Sequence, residues 1–399
     1  MLQLEEAVQR LCRAVRPVTR IETLPLLEAL GSVLAEDCTA PEDQPPFPRS
    51  PLDGYALRGA DSTQAAPSHP VTLRVIGKVC AGEVFSGTVG PGEAVRIMTG
   101  APIPEDADTV IRQEDTDYGE ETVSLYCAVT PYENYCPAGE DYKKGSILMK
   151  KGTLVTASAV SLLAAAGWDT VPVLCRPRVA VISTGDEVLQ LGTPLRPGTI
   201  YDSNRYYITA RLRELGCPPI DSLHCSDDSE ALAAEIRRLA PDTDLILTTG
   251  GVSVGEKDIL HRTLELLGAE RLFWKVAVKP GSPTLAGVFE DTLLLCLSGN
   301  PYGAVVHFEL LARPVLEELS GDQRWSVSRE RAVLLDSFPK GSKMRRFLRG
   351  KVDNGRVTLS TGAQASGALS ALLGCNCLIE LPVSRAGVDA GEEVWVYRL

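Results

Sequence analysis

The chain has 399 residues, 44% hydrophobic and 23% charged, the balance of an ordinary globular protein with room for about two to four domains. Forty Lys/Arg against 52 Asp/Glu leave a net charge of −12, which excludes a general attraction to nucleic acid or to an anionic membrane; an anionic ligand must be held by local groups. Eleven scattered cysteines, four histidines without an H-x-x-x-H spacing and an acidic start at Met1–Glu6 predict reduced thiols, no zinc-hydrolase centre and a cytoplasmic location without a secretory leader. No apolar run nears the roughly 18 residues that span a bilayer.

Leu4, Val8, Leu11 and Val15 form one apolar stripe and predict a helix; a second helix is expected over Leu24–Leu34. Five prolines between Pro41 and Pro51 forbid helix and interior strand. Residues 53–140 read as β-rich, with alternation at Val71–Ile76 and Val123–Val129. A helix returns at 158–166 and stops at Gly167, so the β segment reads as an insertion between two halves of a helical domain, the later helix packing back on the earlier ones.

From 177 the rhythm becomes strand–helix. Val179–Ile182, Leu245–Leu247 and Leu293–Leu297 read as buried strands; helices follow at Asp202–Leu215, around Leu232–Leu239, at Leu260–Leu267 and through Phe308. The expectation is a central doubly wound, mostly parallel sheet with helices on both faces. The tail from 323 is β again, with a hairpin turn at Asp353-Asn354-Gly355. It carries twelve Lys/Arg against seven Asp/Glu; Lys340, Lys343, Arg345, Arg346, Arg349 and Lys351 read as a solvated hairpin face or, alternatively, as a ligand edge. The domains are therefore 1–45 with 145–176 (helical, linker), 46–144 (β-rich insertion), 177–322 (α/β) and 323–399 (β-barrel-like).

Three strand-end turns share one design: Ser183-Thr184-Gly185-Asp186-Glu187, Thr248-Thr249-Gly250-Gly251-Val252-Ser253 and Ser298-Gly299-Asn300-Pro301. In an open parallel sheet all three lie at the carboxyl edge, where free amides, hydroxyls and helix N-termini suit a phosphate. Lys275 and Lys279, four apart in a strand-like stretch, are expected on one face, a placement that favours a bound anion over a packed core. Asp186, Glu187, Asp227 and Asp258 sit at strand-end turns, and carboxylates beside a phosphate cradle point to a bridging Mg²⁺; Asp227 and Asp258 also read as helix caps. Asp53, after the proline-stiffened connector, and Thr99, in an Ile-Met-Thr-Gly elbow, are two further candidates.

Taken together, Pro51-Leu-Asp-Gly-Tyr-Ala56, Arg96-Ile-Met-Thr-Gly-Ala-Pro102, Gly139-Glu-Asp141, Ser183-Thr-Gly-Asp-Glu187, Ile200-Tyr-Asp-Ser-Asn204, Thr249-Gly-Gly-Val-Ser-Val-Gly255, Lys279-Pro-Gly281 and Gly299-Asn-Pro301 resemble the molybdopterin molybdenumtransferases, the MoeA and gephyrin E-domain family, over essentially the whole chain. The resemblance implies a multidomain homodimer that takes adenylylated molybdopterin and molybdate as substrates, with Mg²⁺, and releases AMP. The molybdopterin adenylyltransferase and cofactor-accepting enzymes are the partners it suggests. It places Asp53, Thr99, Asp141, Glu187, Asp227, Lys275 and Lys279 in catalysis, with Asp53 and Thr99 acting across the dimer. Ser183, Thr184, Gly185, Asp202, Asn204, Thr249, Gly250, Gly251, Ser253, Ser298, Gly299, Asn300 and Pro301 would bind the ligand, and Glu187, Asp227 and Asp258 the metal, with roles in the acidic set interchangeable. Five positions depart from the family's usual pattern. Leu52 stands for a methionine, Ser298 for a proline, Tyr302-Gly303 for Val-Ser, and Cys136 for an arginine. An adenylyltransferase of molybdopterin and a non-catalytic scaffold are the rival readings.

Overall fold

The computed structural model describes residues 1–252, 259–362, 364–383 and 386–399. Two units divide the chain: Met1–Thr23 with Gly31–Ala35 and Pro172–Leu399, and Leu24–Leu30 with Glu36–Val171.

A six-stranded sheet in the order Asp221–Cys225, Val179–Thr184, Leu245–Thr249, Thr292–Leu297, Leu285–Phe289, Glu270–Trp274 centres the first unit. Its first four strands are parallel and the last two pairings antiparallel, so that Leu285–Phe289 runs against the other five strands and the sheet is mixed. Alternation along the central strands sorts two cores. Val179, Val181, Leu245, Leu247, Leu293 and Leu295 face a cluster completed by the helices Leu4–Ala14, Ser203–Glu214 and Pro301–Ser320. Ala180, Ile182, Ile246, Leu294 and Cys296 face the helices Ser229–Leu239 and Ile259–Leu267. The chain leaves Val179–Thr184 for the outer strand and then returns to the inner side, so the sheet's order reverses between the ends of Val179–Thr184 and Leu245–Thr249. Such a reversal opens a crevice where open α/β sheets bind ligands.

The tail forms a second sheet, Arg345–Asp353, Arg356–Leu359, Arg329–Leu334, Glu393–Arg398 and Cys377–Leu381, closed by pairing of the last strand with the first. The expected turn is present, with Asn354 and Gly355 both at positive φ. The short strand Val278–Lys279 also pairs in parallel with this sheet, Lys279 opposite Arg346.

The second unit holds a five-stranded sheet, ordered Thr109–Arg112, Gly54–Leu57, Glu93–Ile97, Val71–Val79, Thr122–Leu125, and the helix Ala157–Ala165 capped by Thr156.

Several expectations are corrected. Leu24–Leu34 is not a helix: the strand Ile21–Pro25 runs into turns ending at Gly31, with Leu27 and Leu30 exposed. Pro25 and Gly31 bracket too few residues for a stable helix, whatever their apolar spacing. The Leu4–Ala14 helix buries Leu4, Ala7 and Leu11 in the core of the α/β sheet and belongs to that unit, whereas Ala157–Ala165 belongs to the other. Lys275 and Lys279 do not share a strand: Glu270–Trp274 is an edge strand that ends where Lys275 turns to φ +71°, and Lys279 lies in a different sheet. The tail's cationic cluster is not one solvated face, because Arg349 is 0% and Arg346 8% exposed.

Candidate functional site

Three loops meet at the sheet reversal. Gly250 follows Thr249 at φ +94°, and a Cβ there would lie 2.5 Å from the Thr184 carbonyl oxygen; only glycine permits this approach of two strand ends. Thr184 Oγ1 donates to the Thr249 carbonyl oxygen at 3.4 Å. On the neighbouring side, Ser183 Oγ donates to Asp202 Oδ2 at 2.5 Å. Asp202 caps the helix Ser203–Glu214 through the Arg205 N–H (3.1 Å) and also receives Arg205 Nε at 2.7 Å. Asn204 Nδ2 donates to the Gly299 carbonyl oxygen at 2.9 Å, tying this helix to the third turn. Ser183, Thr184, Glu187, Asp202, Asn204, Thr249, Gly250, Gly299 and Pro301 line one crevice. Ser253 and Asp258 lie outside the described residues.

The acids sort themselves by hydrogen bonding. The Asp227 N–H donates to Asp186 Oδ1 at 3.2 Å, and the Asp186 N–H lies 3.5 Å from Asp227 Oδ2. The cap of the helix Ser229–Leu239 is Asp228, not Asp227, which leaves the Asp227 carboxylate to this loop pair. Two carboxylates suit Mg²⁺, which commonly takes one or two protein oxygens and completes its shell with phosphate and water. Among the described residues no three His, Cys, Asp or Glu side chains converge as a ready-made metal cage, Cys375 and Cys377 included.

A larger cavity of ≈ 760 Å³ is lined by Lys279, Pro280, Gly281, Ser282, Asn300, Lys340, Arg346, Gln364 and Ser366 among others. Among the described residues its lining holds three cations and no carboxylate. Buried Arg346 donates to the Lys340 and Gly341 carbonyl oxygens, both 3.1 Å away, and its buried Nε has no partner among the described residues. These acceptors are neutral and the Phe338 ring lies 5.2 Å away, so among the described residues its charge meets no carboxylate, and burial pushes the guanidinium pKa down. A desolvated cation of this kind favours an anion beside it. Asn300 lines this cavity while Gly299 and Pro301 line the crevice, so the Ser298–Pro301 turn is the partition between them.

Lys275 lines neither cavity; its Nζ stands 3.9 Å from the Trp274 ring centroid. Tyr302 does not crowd the cationic cavity either. It is buried, with Arg349 stacked on its ring at 3.6 Å. Sequence reasoning missed Ser366 and Gln364 and left Arg346 undecided; the arginine's place on the tail strand opposite Lys279 is a matter of register, which has no local signature.

In the second unit, Asp53 Oδ1 accepts both the Thr99 N–H and the Thr99 hydroxyl, each at 2.7 Å. These bonds hold the Asp53 carboxyl below its ordinary range. Thr99 lines a cavity of ≈ 500 Å³ with Arg49, Ser50, Asn134, Tyr135, Cys136 and Glu140. Asp141 is exposed and does not line it; its N–H bonds to the Gln44 carbonyl oxygen at 2.9 Å. At Cys136, where the family's pattern has an arginine, the thiol donates to Glu140 Oε2 at 2.8 Å. Burial, aided by Glu140, pushes this thiol's pKa up, and the neighbouring Arg49 opposes the shift. Arg49, bonded to Cys136 through both main-chain groups at 2.9 and 3.1 Å, brings a guanidinium to the same cavity.

With this geometry established, comparison with known proteins identifies the kind of molecule. Residues 2–167 match the MoeA N-terminal region (domain I and II), 180–318 a probable molybdopterin binding domain, and 331–399 the MoeA C-terminal region (domain IV). The chain belongs to the MoeA family. It is 39% identical to a Bacillus subtilis (strain 168) protein named molybdopterin molybdenumtransferase, over 99% of this chain and 93% of that one. It is 37% identical to molybdopterin molybdenumtransferase 2 of Mycobacterium tuberculosis (strain H37Rv), over 99% and 98%. The crystal structure of a molybdopterin biosynthesis MoeA protein from Pyrococcus horikosii superposes with a TM-score of 0.87 at 33% identity, covering 100% of this chain and 99% of that one. The family accounts for the α/β centre, the β-rich second unit and the barrel-like tail. Among the described residues no helix is long and apolar enough to cross a membrane.

Proposed function

We propose that this MoeA-family chain inserts molybdate into adenylylated molybdopterin and releases AMP. The observation that supports this most directly is the pairing of two sites across one turn. A polar crevice at the sheet reversal suits a phosphorylated ligand, and a cationic cavity beside it, with no carboxylate among its described lining residues, suits a separate oxyanion.

In this reading the main-chain amides of the Gly250-Gly251 turn and the hydroxyl-rich ends of the Val179–Thr184 and Leu245–Thr249 strands receive the phosphoanhydride. Asp202 holds Ser183 in place from below, so the hydroxyl is oriented before ligand arrives. Lys279 and Arg346 hold molybdate by charge and hydrogen bonding, facing the Ser298–Pro301 turn. A Mg²⁺ ion fits Asp186 and Asp227, with Glu187 adjacent in sequence; when bound it would neutralise charge developing on the departing AMP. Asp53, kept ionised by Thr99, is available to accept a proton or position water, and we assign it to the active centre of a second copy in a homodimer. A cytoplasmic setting with supply by a molybdopterin adenylyltransferase completes the proposal.

The test is turnover by the pure protein. Adenylylated molybdopterin should yield AMP only when molybdate and Mg²⁺ are added. Consumption of ATP with release of pyrophosphate would instead make the protein an adenylyltransferase, and no product in either assay would favour a scaffold.

A further inference from the structure

His307 connects the two turns that flank the cationic cavity. It is 1% exposed and lies at the end of the helix Pro301–His307. The Ser298 main-chain N–H donates to its Nδ1 at 3.0 Å, and its Nε2 meets the Gly281 carbonyl oxygen. An N–H can donate only to the unprotonated ring nitrogen, and a carbonyl accepts only from the protonated one. The surroundings therefore select one neutral tautomer, with the hydrogen on Nε2. Burial acts in the same direction, lowering the imidazole pKa to about 4.

The neighbours are fitted to this ring. A Cβ on Gly281 would stand 2.5 Å from His307 Nε2, and one on Gly303 would stand 2.6 Å from Ser298 Oγ. Ser298 Oγ in turn accepts the Asn300 N–H at 3.2 Å. A proline at 298 has no N–H and would leave Nδ1 buried without its donor. Ser298, Gly303 and His307 thus form one interdependent set, which gives a physical reason for two departures from the family's usual Pro-Gly-Asn-Pro-Val-Ser pattern.

We propose that His307 is a positioning residue for molybdate: its neutral ring clamps the Gly281 turn to the Ser298 turn and so fixes Lys279 and Asn300, each two residues from a clamp point, in the lining of the cationic cavity. This rests on the reading of that cavity as the molybdate site.

The test is calorimetric titration of the full chain with sodium molybdate, and separately with AMP, for the wild type and for His307→Leu, His307→Gln and Ser298→Pro. Ser298→Pro, which leaves Nδ1 unpaired, should weaken molybdate about tenfold, and His307→Leu, which leaves both the Ser298 N–H and the Gly281 carbonyl unpaired, at least as much. AMP affinity should stay within about twofold, since its proposed cradle is the Gly250 turn. His307→Gln, whose amide retains an N–H for Gly281, should recover part of the loss. Where His307→Leu fails to fold, Ser298→Pro decides alone. Unchanged molybdate affinity in the folded variants would overturn the clamp, and so would equal weakening of molybdate and AMP, which marks a merely structural ring. Absence of molybdate binding by the wild type would instead remove the site reading beneath it.

Discussion

Asp53 shows how much chemistry one threonine supplies: a single carboxylate oxygen takes both the main-chain and the hydroxyl hydrogen of Thr99. Both bonds favour the ionised form, so the pKa lies below its ordinary value. The associated stability is present above the usual carboxylate range and is lost as pH falls through the depressed value. Thr99→Ala removes the hydroxyl bond but keeps the main-chain one, so the Asp53 pKa should rise part of the way back, while Thr99→Ser should leave it in place. NMR titration of the Asp53 carboxyl checks this, and an unmoved value in Thr99→Ala would dissolve the pair. His307 behaves with the same sign. Its folded pKa near 4 lies below the ordinary 6.5, so its contribution is complete above about pH 6.5 and declines as pH falls toward 4. Between pH 7.5 and 4.5 the wild type should lose about 2 kcal/mol more than His307→Leu in chemical denaturation. Parallel losses would mean the ring is accessible to protons in the folded state.

At the scale of elements, the strand ends of the α/β sheet were legible because buried strands followed by Gly-bearing turns write both their position and their use into a few residues. Gly250 is the sharpest case. Gly250→Ala would force a Cβ against the Thr184 carbonyl at a left-handed φ, and should cost about 2–3 kcal/mol in stability and at least about tenfold in AMP affinity. Wild-type AMP binding by this variant would clear the turn of any part in the site. The Leu24–Leu34 segment was misread because spacing alone ignores the punctuation of Pro25 and Gly31. Lys275 was misread because its left-handed backbone ends a strand that composition continues. The helical run Pro301–Ser320 conceals another non-local feature, a π-helical turn at Phe308–Ala312. There fully buried Glu309 accepts from Tyr207 (3.0 Å), Arg211 (2.9 Å) and Arg313 (2.9 Å). No local pattern predicts such a network. Glu309→Ala takes the carboxylate from buried Arg313 and leaves half-buried Arg211 with Glu214 alone, and should cost about 3 kcal/mol, read by urea denaturation.

At the scale of the whole molecule, the family resemblance carried the multidomain organisation that local reading could not, whereas the meeting of Lys279 and Arg346 from distant parts of the chain came only with the fold. The proposed homodimer makes a separate prediction. If Asp53 serves the partner's α/β site, Asp53→Ala and Lys279→Ala are each inactive alone, but subunits mixed and re-associated recover about one quarter of wild-type AMP release, because half the dimers carry one intact site. Recovery of nothing would place Asp53 and Lys279 in the same site of one chain, or Asp53 outside it. The central claim, that a single turn separates a nucleotide crevice from an oxyanion cavity, is tested most directly by anomalous diffraction at the molybdenum edge from crystals soaked with molybdate and AMP. Molybdenum should appear among Lys279, Asn300 and Arg346, with AMP phosphate at Ser183, Thr249 and Gly250 on the other side of the Ser298–Pro301 turn. Molybdenum or AMP bound away from these residues would contradict it.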